Sequence, residues 1–78
     1  LYLQENVISK IENLHFLKDL RILNLDDNCL TTIENLSELP LLETLQVKRN
    51  WIGVNGLSDV QGLLDLPELS VLDIQDNK

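Results

Sequence analysis

Three features of this 78-residue chain predict an α/β solenoid, with short parallel β-strands on a concave face and helical or 3-10 return segments on a convex face. The tetrapeptide Ile-Glu-Asn-Leu occurs at 11–14 and again at 33–36, a shift of 22. Asparagine recurs at Asn6, Asn28 and Asn50 with the same shift, and at Asn77 after 27 more positions. The apolar residues hold one register against each asparagine: Leu20, Leu23 and Leu25 before Asn28, Leu42, Leu45 and Val47 before Asn50, and Leu69, Leu72 and Ile74 before Asn77.

Each element follows from that register. A pair of apolar residues at period two, such as Leu23 and Leu25, reads as a short strand with those side chains inward and its neighbours outward. The asparagine sits where the chain must turn, and its amide can satisfy backbone groups that the turn exposes. Stacked copies place Asn6, Asn28, Asn50 and Asn77 in a ladder along one edge. Apolar spacings of three, as in Ile33, Leu36, Leu39 and Leu42, predict helix or 3-10 turns on the way back. Pro40 and Pro67 stand where such a helix should stop before the next strand. The full pattern is L-x-x-L-x-L-x-x-N-x-L, the leucine-rich repeat consensus.

One copy cannot fold alone. Burying the aliphatic side chains of one repeat does not offset the entropy lost in ordering it. Neighbouring copies must cover its open faces. The chain is read as one leucine-rich repeat segment over 1–78, about three and a half repeats, with no Met and both ends inside the pattern. It is expected to be a piece of a longer protein whose capping repeats are missing. The last interval holds five extra residues within Trp51–Leu66, a stretch containing Gly53, Gly56 and Gly62. A true helix is expected there over about Ser58–Leu66, with Ser58 as its N-cap and Asp59 in its first turn. The insertion could serve binding, or could bend the end of the stack.

Composition narrows the function. Aliphatic residues dominate (19 Leu, 6 Ile, 5 Val), which excludes a disordered chain. A net charge of −7 with only six Lys and Arg argues against nucleic-acid binding. No apolar run approaches the ~18 residues of a membrane span, and no leader is visible. Cys29 is alone and has no internal partner for a disulfide. Catalysis finds little support. His15 has no partner placed by sequence. The pairs Asp26-Asp27 and Asp73 with Asp76 lack the loop of oxygen ligands that a cation site needs. Asn35-Leu36-Ser37 matches a glycosylation sequon, but Leu36 is a core position. No cofactor is expected.

The outward strand positions form columns: Tyr2, Asn24, Gln46 and Asp73; Gln4, Asp26, Lys48 and Gln75; Ile22, Thr44 and Val71; and Glu5, Asp27, Arg49 and Asp76. They would tile the concave face, which repeat stacks commonly use for binding. Lys48 and Arg49 make a small basic island between acidic rows. Tyr2, Ile22 and Val71 are candidate interface anchors. A further column follows the asparagines directly: Val7, Cys29, Trp51 and Lys78. Trp51 could be a hot spot, or could pack under the insertion.

With those residues in place, the chain resembles the SDS22-like class of leucine-rich repeat proteins, and within it the axonemal dynein assembly factor 1 family. The segments that carry the resemblance are Leu-Tyr-Leu-Gln at 1–4, Lys-Ile-Glu-Asn-Leu at 10–14, Thr-Ile-Glu-Asn-Leu-Ser at 32–37, Leu-Pro at 39–40, Glu-Thr-Leu-Gln at 43–46 and Val-Leu-Asp-Ile at 71–74. Trp51-Ile52-Gly53 departs from that family's pattern. The resemblance implies a non-enzymatic scaffold, cytoplasmic and associated with cilia or flagella. Its partners would be dynein assembly factors, chaperones or dynein subunits. The alternatives are a regulatory subunit that binds a protein phosphatase 1 catalytic subunit, and a structural segment of an axonemal protein.

Overall fold

A computed structural model describes residues 1–77. Three strands, β1 (Ile22–Asn24), β2 (Thr44–Gln46) and β3 (Val71–Asp73), form one open parallel sheet in the order β1-β2-β3. The register sets Ile22 beside Thr44 beside Val71, Leu23 beside Leu45 beside Leu72, and Asn24 beside Gln46 beside Asp73. Tyr2 extends the sheet by one parallel bridge to Asn24. Leu23 and Leu45 point inward and are fully buried, while the residues on either side of them face outward. Period two therefore operates over three-residue strands.

The core is an aliphatic spine. Leu25, Leu30, Ile33, Leu36, Leu39, Leu42, Val47, Ile52 and Leu66 are all buried with the strand leucines. Burial falls towards the sheet edge. Leu72 in β3 is 38% exposed, because no strand lies beyond it among the described residues.

Of the two geometries expected for the return segments, helix or 3-10 turns, the first two returns take the turns, as successive β-turns. The Leu17 amide donates to the Leu14 carbonyl at 2.9 Å and the Leu20 amide to Leu17 at 3.1 Å. Leu39 donates to Leu36 at 3.0 Å and Leu42 to Leu39 at 3.2 Å. Every turn begins and ends on a leucine, so each corner returns an aliphatic side chain to the core. Pro40 and Pro67 are second residues of such turns (Leu39–Leu42 and Leu66–Leu69), where a fixed φ near −65° favours the turn. Pro40 seeds a turn in a return that has no helix, whereas Pro67 also stands directly after the 3-10 helix of the third return and its C-cap Leu66, where a stop is expected.

The third return is longer, and its helix is a 3-10 helix over Leu57–Asp65 instead of an α-helix over Ser58–Leu66. Its i→i+3 bonding continues the turn geometry of the earlier repeats. Ser58 is not the N-cap. Gly56 holds that place with φ 106°, and no side chain caps the helix. Gly62 lets the helix close on the second repeat: a Cβ there would lie 2.1 Å from the Ile33 carbonyl oxygen.

Candidate functional site

Two features position the outward side chains: the asparagine ladder and the turn that precedes each rung. The residue before every ladder asparagine, namely Glu5, Asp27, Arg49 and Asp76, has φ between 56° and 60°. This left-handed kink swings the asparagine side chain inward and leaves its neighbours on the rim. The Asn50 Oδ1 accepts the Leu30 amide at 2.9 Å, and its Nδ2 reaches the carbonyls of Leu25, Val47 and Lys48 at 2.9–3.2 Å. Two amide protons serve three carbonyls, so at least one bond is shared. Asn28 repeats the arrangement with the Ile8 amide and the Leu3, Leu25 and Asp26 carbonyls. Asn77 does so with the Ile52 amide and the Val47, Ile74 and Gln75 carbonyls. Asn6 makes only the two bonds within its own repeat, to Leu3 and Gln4.

The outward columns lie where the strand register places them, but not all their members stand free. Asp26 is buried, and its Oδ1 accepts the Lys48 amide at 2.7 Å, so it supports the sheet. Asn24 is half-buried and its Oδ1 accepts the Asp26 amide. The basic island is internally neutralised. Arg49 grips Asp27 through both carboxylate oxygens, and Lys48 lies 3.6 Å from Asp73. The Arg49 guanidinium holds the Asp27 carboxyl below the usual aspartate range, and Asp27 in turn raises Arg49. Asp73 Oδ1 is enclosed without a hydrogen-bond partner. Tyr2, Ile22 and Val71 are exposed, as are Gln4 and Gln75, while Thr44 and Gln46 are half-buried. Just before β1 and β2, Arg21 pairs with Glu43, and in the return turns Lys18 pairs with Glu38, both at 2.8 Å.

Sequence reasoning missed the most connected side chain of the insertion. Asp59 is only 4% exposed. Its Oδ2 accepts the Gly53 amide at 3.1 Å and the Asn55 amide at 3.0 Å, and its Oδ1 accepts the Thr32 hydroxyl at 3.3 Å. Its backbone carbonyl accepts the Ile33 amide at 2.7 Å. Asp59 thus ties the 51–56 loop to the second repeat. A first-turn aspartate hinted at a helix start, but nothing local marked this long reach.

The residues tested for chemistry stay apart. Among the described residues no three His, Cys, Asp or Glu side chains gather at metal-holding distance. His15 packs edge-on against Phe16. Cys29 is exposed and unpaired. The Asn35 Nδ2, the atom a glycan would need, donates to the Ile11 carbonyl at 2.6 Å. A groove of about 580 Å³ runs between the 3-10 helix and the second repeat, bounded by Thr32, Glu34, Gln61 and Leu64. Lys78 of the last column lies outside the described residues.

An in-register open sheet with an asparagine ladder at its rim is the arrangement of the leucine-rich repeat class, and comparison with known proteins supports a leucine-rich repeat protein. Leucine-rich repeat-containing protein 23 of Bos taurus is 35% identical over 78 residues, 99% of this chain and 22% of its own length. The Homo sapiens protein of the same name is 36% identical over 76 residues, 96% of this chain and 22% of its own length. The chain thus spans about a fifth of the relatives it matches. No family model matches it. The similarity suggests a protein-interaction module.

Proposed function

We propose that this chain is a stretch of leucine-rich repeat solenoid that works as a non-enzymatic docking scaffold, with the outer sheet face receiving a protein partner. The observation that supports this reading most is the face itself. Tyr2, Ile22 and Val71 stand exposed beside columns of polar side chains held in fixed register. Ladder bonds and ion pairs order that surface before any partner arrives, which lowers the cost of binding. In the finer reading the protein serves cytoplasmic assembly of axonemal dynein arms, associated with cilia or flagella. Its partners are then assembly factors, chaperones or dynein subunits. That step rests on the sequence resemblance alone.

Capture from ciliated cells with the full-length protein tests both levels. The finer reading expects dynein chains or their assembly factors. A phosphatase catalytic subunit in their place would mark the regulatory-subunit alternative. The double variant Tyr2→Ala with Val71→Ser changes two exposed side chains and leaves the ladder untouched. Loss of the captured partners supports the sheet face as the docking surface. Undiminished capture by that variant would remove the face from the proposal.

A further inference from the structure

The column that follows the ladder asparagines forms a second surface, separate from the outer sheet face. The Cys29 amide donates to the Ile8 carbonyl at 2.8 Å, and the Trp51 amide to the Leu30 carbonyl at 2.7 Å. These bonds stack Val7, Cys29 and Trp51 one above another along the rim. Val7 is 86% exposed and Trp51 50%, and the turn from Trp51 adds Val54 at 54%. A run of apolar side chains this open on a charged chain marks an interaction site.

Two independent observations describe the site and its occupant. The first is charge. The rim column on the other side of the asparagines carries Glu5, Asp27 and Asp76 against a single cation, Arg49, which is held by Asp27. Neither Glu5 nor Asp76 is in an ion pair among the described residues. The second is order. The turn that carries Trp51 and Val54 is fixed at three backbone amides: Ile52 to Asn77 Oδ1, and Gly53 and Asn55 to Asp59 Oδ2. An exposed tryptophan on a fixed turn loses little freedom on binding, as a hot spot requires.

We infer that the Val7–Cys29–Trp51 rim, extended by Val54 and flanked by carboxylates, docks a basic amphipathic segment of a partner protein. Apolar side chains of that segment cover the rim, and its Lys or Arg residues meet Glu5 and Asp76. The inference rests on the protein-interaction reading but uses a different surface.

The test uses the full-length protein and a fluorescein-labelled amphipathic helical peptide of leucine and lysine, with a twin in which glutamate replaces lysine. Fluorescence anisotropy is expected to register binding of the lysine peptide only, weakening as salt rises. Trp51→Ala and, separately, Val7→Ser should each weaken it about tenfold. Both residues are exposed, so circular dichroism should show the fold intact in each variant. Glu5→Lys should weaken binding with no apolar change. Equal binding of the two peptides would overturn the inference, as would affinity unchanged in both Trp51→Ala and Val7→Ser. Binding lost in Tyr2→Ala with Val71→Ser but kept in Trp51→Ala would also overturn it, while leaving the docking-scaffold reading intact.

Discussion

The asparagines carry the strongest residue-scale predictions, because their environments differ. Asn50 is buried with all its bonds made, whereas Asn6 is exposed and binds only its own repeat. Asn50→Ala strands the Leu30 amide, while the Leu25, Val47 and Lys48 carbonyls keep their bonds from Asn28, Asn77 and the Asp27 amide, so it should cost about 1–3 kcal/mol in urea unfolding. Asn6→Ala should cost under about 1 kcal/mol in the same measurement. The pair Asp27–Arg49 gives a pH-dependent prediction. Folding lowers the Asp27 pKa, so the stability it confers is complete above the unfolded carboxylate range and is lost as pH falls through the folded value. Asp27→Asn should therefore lower the urea midpoint at pH 7, and the gap to the parent protein should close as acid is added below about pH 4. A gap that persisted at low pH would show that the pair acts through packing rather than charge.

At the scale of elements, the 3-10 helix is the part the sequence least discloses, and Gly62 is its sharpest test. Gly62→Ala drives a Cβ into the Ile33 backbone and should cost about 3 kcal/mol or displace the helix. Removing the Asp59 carboxylate, as in Asp59→Ala, should instead loosen the loop. Hydrogen exchange would then rise first at the Gly53 and Asn55 amides, ahead of any change in β2. The strands were legible: period two around Leu23, Leu45 and Leu72 marks β1, β2 and β3, and the asparagine intervals predict which residues pair. The returns were only half legible. Leucines at spacing three suit a helix and a chain of turns equally well, and only the leucine-to-leucine bonds decide between them. Ser58 and Asp59 read locally as cap and first turn, but Asp59 answers to groups several residues back and in the repeat before. The partnering of Arg49 with Asp27 was foreshadowed by their shared column, since a shift of 22 makes them neighbours. The burial of Asp26 was not, because its acceptor role depends on the Lys48 amide lying beneath it.

At the scale of the whole molecule, stability is graded along the stack. The second and third repeats have neighbours on both sides and hold the fully buried leucines, while β3 and the Tyr2 bridge bound the sheet. Leu45→Ala should cost about 2–5 kcal/mol, and Leu72→Ala markedly less, because Leu72 is already partly in water. Made alone, the 78-residue chain is expected to be marginal and to self-associate through its open edges. Sedimentation and a thermal melt check this, and a monomer that unfolds cooperatively well above ~65 °C would contradict it.

The five surplus residues of the last interval leave β3 aligned with β2, and Asn77 bonded across to Val47 and Ile52, as its predecessors are across theirs. Alignment is thus dictated by which amide captures which carbonyl, not by how many residues intervene. Lengthening is absorbed behind, like slack gathered at the back of a pleat whose front creases stay level. Extra glycine and serine spliced between Asn55 and Gly56 should accordingly leave the backbone NMR shifts of all three strands almost unmoved.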